Sequence, residues 1–122
     1  MNKYLNKRTE VDGIVFDSKR EARYYLVLKD RLTKGEISNL RRQVSYELIP
    51  AVYKEETVHL KTKDKVVRKI IQRAITYRAD FVYVDNIDGT EKVIDVKGLR
   101  TKEYCLKRKM MLALKGISII EI

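Results

Sequence analysis

Three side chains late in a 122-residue chain have the types and spacing for phosphate chemistry: Asp80, Asp95 and Lys97. They sit on the two arms of a patterned hairpin. One arm is Arg78-Ala79-Asp80-Phe81-Val82-Tyr83-Val84, the link is Asp85-Asn86-Ile87-Asp88-Gly89, and the return is Thr90-Glu91-Lys92-Val93-Ile94-Asp95-Val96-Lys97. Both arms are rich in β-branched and aromatic residues, and the link has turn chemistry. Strand side chains alternate faces, so Asp80 shares one with Val82 and Val84, and Asp95 shares one with Val93 and Lys97. If Asp85 pairs with Thr90, Asp80 falls opposite Asp95 on the same face. Two carboxylates and an ammonium would then converge on an otherwise apolar surface, which is costly unless compensated. A hard divalent cation compensates it: Mg²⁺ takes one or two carboxylates and leaves positions for water and phosphate. Lys97 beside it could orient a water or stabilise the charge of a phosphoryl transition state. The plainer reading is a surface hairpin whose Asp95 and Lys97 form an ordinary ion pair, and Asp-x-Lys alone is a weak signal in a lysine-rich chain.

The elements that must position these groups follow from the flanking sequence. Glu10 to Phe16 carries Asp12-Gly13, the signature of a tight hairpin turn. Ser18 and Glu21 form a capping box that opens a helix running to about Thr33, stopped by Gly35. Glu21 has a sufficient structural role there, returning a hydrogen bond to the helix N-terminus. Yet Glu21, Tyr25, Leu28 and Leu32 share one helix face, so Glu21 also stands at the open end of the core-facing stripe, within reach of a metal at Asp80 and Asp95. Lys19, Arg20 and Arg23 flank it and could meet a substrate backbone or simply be solvated. Ile37 to Leu40 and Gln43 to Ile49 read as strand, ended by Pro50, with Gln43 facing the cleft or lying on a plain edge.

From Val52 to Arg73 the pattern reads as a basic β-ribbon, with Val58 to Lys61 and Val66 to Ile71 joined near Lys63-Asp64. Lys61, Lys63, Lys65, Arg68, Lys69 and Arg73 lie along it, which suits a DNA-contacting arm better than a dimerisation element. Gly98 allows a sharp exit after Lys97, and Thr101 caps a second helix through about Lys115, closed by Gly116. Leu106, Met110 and Ala113 are the expected buried stripe of that helix, while Lys102, Lys107 and Arg108 offer a phosphate track or a solvated basic face. Ile117 to Ile122 reads as a last strand added to the same sheet.

Composition narrows the function. There are 27 Lys and Arg against 17 Asp and Glu, a net charge of +10, which implies a polyanionic partner, nucleic acid before membrane. No apolar run approaches the roughly 20 residues of a membrane span, and the N-terminus lacks a signal-peptide core. The single Cys105 excludes an internal disulfide and any cysteine-cluster zinc site. The single histidine, His59, reads as solvated, so histidine-centred nuclease chemistry is not expected. Residues Met1 to Arg8 read as loosely held, with Lys3, Lys7 and Arg8 available to phosphates. These features describe one domain over residues 1–122 that is soluble and cytoplasmic, or in the host cytoplasm if phage-encoded.

The order of a helix with Glu21, a strand with Asp80, a strand with Asp95-Val96-Lys97, a basic helix and a final strand resembles the PD-(D/E)xK nuclease superfamily. The phrases Glu10 to Ile14, Phe16 to Ala22, Tyr46 to Pro50, Tyr77 to Phe81 and Ile94 to Gly98 are similar to small phage and prophage proteins within it, described as of unknown function or as candidate endonucleases. The likeness covers about Lys7 to Ile122. It implies an α+β fold with a restriction-endonuclease-like core of order α-β-β-β-α-β, here with an N-terminal hairpin and an inserted β-ribbon over 52–73. It also implies Mg²⁺- or Mn²⁺-dependent hydrolysis of DNA, with Asp80 and Asp95 as metal ligands, Lys97 orienting water and Glu21 completing the site. A homodimer acting on branched or four-way DNA is implied by some relatives. Ala79 stands where the superfamily's name has proline. The rival expectation is a DNA-binding protein that keeps the fold without cutting; an RNA-binding domain is the weaker third, because base-stacking aromatics are sparse.

Overall fold

The structure, a computed structural model, describes residues 8–97 and 99–122. The expected roles of Lys3 and Lys7 and the exit at Gly98 lie outside the described residues. The first hairpin joins β1 (Thr9–Val11) to β2 (Ile14–Phe16), and its turn has Asp12 at φ 53° and Gly13 at φ 76°. Both central residues are therefore left-handed, the turn that matches the twist of paired strands. Helix α1 (Lys19–Thr33) begins at Ser18, whose hydroxyl accepts from the Glu21 N–H at 3.1 Å.

Strand β3 runs unbroken from Ile37 to Ile49, where the sequence suggested two pieces. A two-stranded ribbon follows, β4 (Val52–His59) and β5 (Asp64–Gln72), over the expected span and turning through residues 60–63, slightly before the expected Lys63-Asp64. Then come β6 (Ile75–Asp85), β7 (Glu91–Asp95), α2 (Lys102–Lys115) and the short β8 (Ile120–Glu121). The main sheet has the order β3-β6-β7-β8, antiparallel except for the parallel pair β7-β8 that α2 connects. The fold is α+β with a mixed sheet, and with both hairpins set aside the elements run α1-β3-β6-β7-α2-β8.

Each face of the sheet buries its own core. Phe16, Tyr25, Leu28, Ile37, Phe81, Tyr83 and Ile94 pack together on the α1 side. Tyr77, Ala79, Val82, Val93, Tyr104, Met111 and Ile119 pack together on the α2 side. Neighbours in sequence, Phe81 with Val82 and Val93 with Ile94, serve opposite cores, as a strand covered on both faces requires. The expected stripe of α2 is corrected: Leu106 is 58% exposed and Ala113 is exposed, whereas Tyr104 and Met111 are buried. The helix turns its aromatic and methionine toward the sheet, which leaves the leucine-bearing face out. The last strand is shorter than expected, but the Ile122 N–H still donates to the Asp95 carbonyl at 3.0 Å and its carbonyl accepts from Lys97 N–H at 3.2 Å. Among the described residues, no helix is long and apolar enough to cross a membrane.

Candidate active site

The β6–β7 turn sets the site. Asp85 N–H donates to the Thr90 carbonyl at 2.9 Å, and Phe81 faces Ile94, so Asp80 falls opposite Asp95. Asp80 lies at an irregularity in the sheet. On its other side it faces Gln43, since Arg42 pairs with Phe81 and Val44 with Ala79, and Gln43 has φ 53°. A left-handed residue inside a strand reverses the alternation. Arg42 accordingly lies over the Phe16 ring on the α1 side at 4.5 Å, while Val44 and Tyr46 join the α2-side core. In β6, Tyr77 and Ala79 belong to the α2-side core and Phe81 to the other.

That reversal delivers Tyr77 to Asp95. Its hydroxyl donates to Asp95 Oδ2 at 2.5 Å. Burial, then the Asp95 carboxylate, hold the Tyr77 phenol well above its ordinary range. The second oxygen of Asp95 is different. Lys97 Nζ lies 3.0 Å from Oδ1 and forms an ion pair, but this buried atom has no hydrogen bond. Asp95 is only 1% exposed, and the Lys97 ammonium offsets part of the cost of burying its charge. The Lys97 ammonium also sits 4.3 Å from the centre of the Tyr104 ring, which fixes its position on α2's side. A cleft of about 180 Å³ opens here, lined by Tyr77, Asp95, Lys97, Thr101, Tyr104 and Lys107 among others.

Asp80 points along the sheet toward the end of β7, where its Oδ2 accepts from the Val96 N–H at 2.8 Å. Burial and then the Asp95 carboxylate push its carboxyl up to about 7, against the pull of the Val96 N–H. Glu21 is buried at the start of α1, 6% exposed. Its side chain turns inward: Oε1 accepts from Gln43 Nε2 at 3.3 Å and lies 3.9 Å from the Arg42 guanidinium. Only half of the expected capping box is therefore seen, the bond from Glu21 N–H to Ser18. Burial raises the Glu21 carboxyl; Arg42 lowers it, and Asp17 and Asp95 raise it further.

The donors fit a hard cation in part. Asp80 and Asp95 supply two adjoining carboxylates, with Asp95 Oδ1 ion-paired to Lys97 but not hydrogen-bonded, and two is the number of carboxylates Mg²⁺ commonly takes from protein. Among the described residues, no group of three or more His, Cys, Asp or Glu side chains is close enough to hold a metal together. Glu21 stands one step back, held by Gln43 and Arg42. Arg42, Tyr77 and Tyr104 escaped the sequence reading. Strict alternation puts Tyr77 with Phe81, away from Asp95, and the change of face between Ala79 and Phe81, where Asp80 meets Gln43, undoes that.

The expected DNA contacts divide by place. Lys19, Arg20 and Arg23 are exposed on the first turns of α1, and Gln43 is engaged with Glu21. Lys102 is exposed; Lys107 lines the cleft and pairs with Glu103 at 3.1 Å, while Arg108 pairs with Glu121 at 3.4 Å. Lys65, Arg68 and Lys69 stand on β5 and Lys61 and Lys63 on the ribbon's turn, in a ribbon that does not pack substantially against the elements carrying Glu21, Asp80 and Asp95. His59 is exposed as expected, with Nδ1 2.8 Å from Asp64 Oδ1.

Residues 1–115 match the family described as "Protein of unknown function (DUF1064)". The chain belongs to that family. No curated protein and no solved structure matches it.

Proposed function

We propose that this chain is a divalent-metal-dependent DNA endonuclease of PD-(D/E)xK type, hydrolysing phosphodiester bonds in branched or junction DNA during phage recombination or DNA processing. The observation that carries the reading is the buried Asp95, with one oxygen held by Tyr77, the other facing Lys97 without a hydrogen bond, and Asp80 directly across the sheet. Two adjoining buried carboxylates, Asp95 lining the cleft and Asp80 beside it on the next strand, repel each other, and a cation relieves that repulsion. Mg²⁺ or Mn²⁺ bound by Asp80 and Asp95 would polarise the scissile phosphate and lower the pKa of a water. Lys97 then orients that water and stabilises the added negative charge as the water oxygen bonds to phosphorus and the bond to the sugar oxygen breaks. Glu21, tethered by Gln43, acts on the pair through its charge and completes the site on turning from Gln43 toward Asp80 and Asp95.

The second reading is a DNA-binding protein that keeps this fold without cutting. The specific observation in its favour is Glu21, already engaged by Gln43 and Arg42. One experiment separates the two. Labelled linear, nicked, flapped and four-way DNA is incubated with Mg²⁺, Mn²⁺ or EDTA. Cleavage is expected only with metal, and Asp95→Ala is expected to lose it by on the order of 10³-fold or more while binding DNA as well or better. Equal binding with no product on any substrate establishes the binder instead. The homodimer implied by the resemblance belongs to this proposal, and sedimentation with and without four-way DNA tests it.

A further inference from the structure

The β4–β5 ribbon is two-sided in a way the sequence hides. Its register pairs Lys54 with Lys69, Glu56 with Val67 and Val58 with Lys65, and the Leu60 N–H donates to the Lys63 carbonyl just beyond. Opposed residues share a face and alternate ones repeat it, so Lys54, Lys63, Lys65 and Lys69 lie on one side with a single acid, Glu56. The other side holds Tyr53 with Ile70, Glu55 with Arg68, Thr57 with Val66 and His59 with Asp64. There one guanidinium meets two carboxylates, and that guanidinium is spent locally, lying 3.8 Å from the Tyr53 ring centre.

We propose that this ribbon is a one-sided grip on the backbone of duplex DNA, with Lys54, Lys63, Lys65 and Lys69 toward the phosphates and Arg68 turned away. The inference rests on the DNA reading above and names the surface that reading leaves undefined. The basic face carries a cost that a polyanion relieves. Lys54 directly opposes Lys69, a like-charge pair that destabilises a ladder, and Glu56 bridges it only partly, at 3.7 Å to Lys54 and 2.9 Å to Lys69. Among the described residues, Lys63 and Lys65 have no ion-pair partner. The spacing also suits the ligand: residues on one face of a strand recur about every 6.8 Å. That is two steps of the roughly 3.4 Å rise per nucleotide along one DNA strand. Neither strand packs substantially against any other element, so both faces are open and charge alone selects the one that binds.

The test uses the whole chain in EDTA, where no cleavage is needed, and measures binding to a mixed-sequence duplex by anisotropy across a salt series. Lys65→Glu is expected to weaken binding about tenfold and to flatten the salt slope by about one, whereas Arg68→Glu, with the same charge change on the same strand, stays within about threefold of wild type. Lys65→Gln and Arg68→Gln repeat the comparison with a gentler change, in case either glutamate unsettles the ribbon. Equal losses in both pairs, or no duplex binding by the wild type, overturn the proposal. So does a wild-type dimer that Arg68→Glu splits while both variants bind DNA alike, an outcome that gives the ribbon to a second copy of the chain. Binding with the expected asymmetry but no metal-dependent cutting sinks the nuclease and leaves the grip standing. Cutting with no asymmetry does the reverse.

Discussion

Asp80 is the residue whose protonation should report on the whole site. Its folded carboxyl is raised to about 7 from an ordinary value of 3.8, chiefly by burial and next by Asp95. Between those values the folded protein holds a proton that the unfolded chain has released, so stability falls as pH rises and the full cost is present above about 7. Thermal unfolding of the metal-free protein should therefore give a lower Tm at pH 8 than at pH 5, and Asp80→Asn should flatten that dependence. A cation that displaces the proton reverses the trend, so Mg²⁺ should raise Tm more at pH 8 than at pH 5. An equal Mg²⁺ effect at both values would argue against Asp80 as a ligand. Tyr77→Phe removes the only hydrogen bond to Asp95 Oδ2 that the structure shows and should cost about 2 kcal/mol in denaturant unfolding. The facing of Asp80 and Asp95 was legible because turn residues at Asp85 to Gly89 dictate the register. The Tyr77 and Arg42 contacts were not, because β3 and β6 both exchange faces where Gln43 meets Asp80, which a rule of strict alternation does not foresee.

At the scale of elements, strands and caps followed local chemistry closely, and the second helix did not. Thr101 accepts from the Tyr104 N–H at 3.0 Å and Gly116 closes α2 at φ 68°, both as expected from residue type. Of the expected stripe, Met110 does pack against the α2-side core, but Leu106 and Ala113 do not, because α2 carries two apolar stripes and helical spacing alone gives no reason to prefer Tyr104 and Met111 over Leu106 and Ala113. The ribbon makes a separate prediction. Since β4 and β5 contact substantially only each other, joining Val52 to Gln72 through an Asn-Gly turn should shift Tm by less than about 5 °C. The same excision should remove most duplex affinity. A collapse in Tm would mean the ribbon is part of the folding unit.

At the scale of the whole molecule, β3 and β6 serve both cores and exchange faces where Gln43 meets Asp80. That meeting point lies in strands that both cores share, so the two should melt together, in a single transition. That point is conformationally awkward. At φ 53° glycine is at ease, and any residue with a Cβ carries strain. Gln43→Gly should thus be more stable than Gln43→Ala by about 1 kcal/mol in denaturant unfolding, the reverse of the order at an ordinary strand position. Both variants lose the amide that steadies Glu21. Glutamine at this bend thus sets an easier backbone against a grip on Glu21, and swapping in glycine gains the first only by giving up the second.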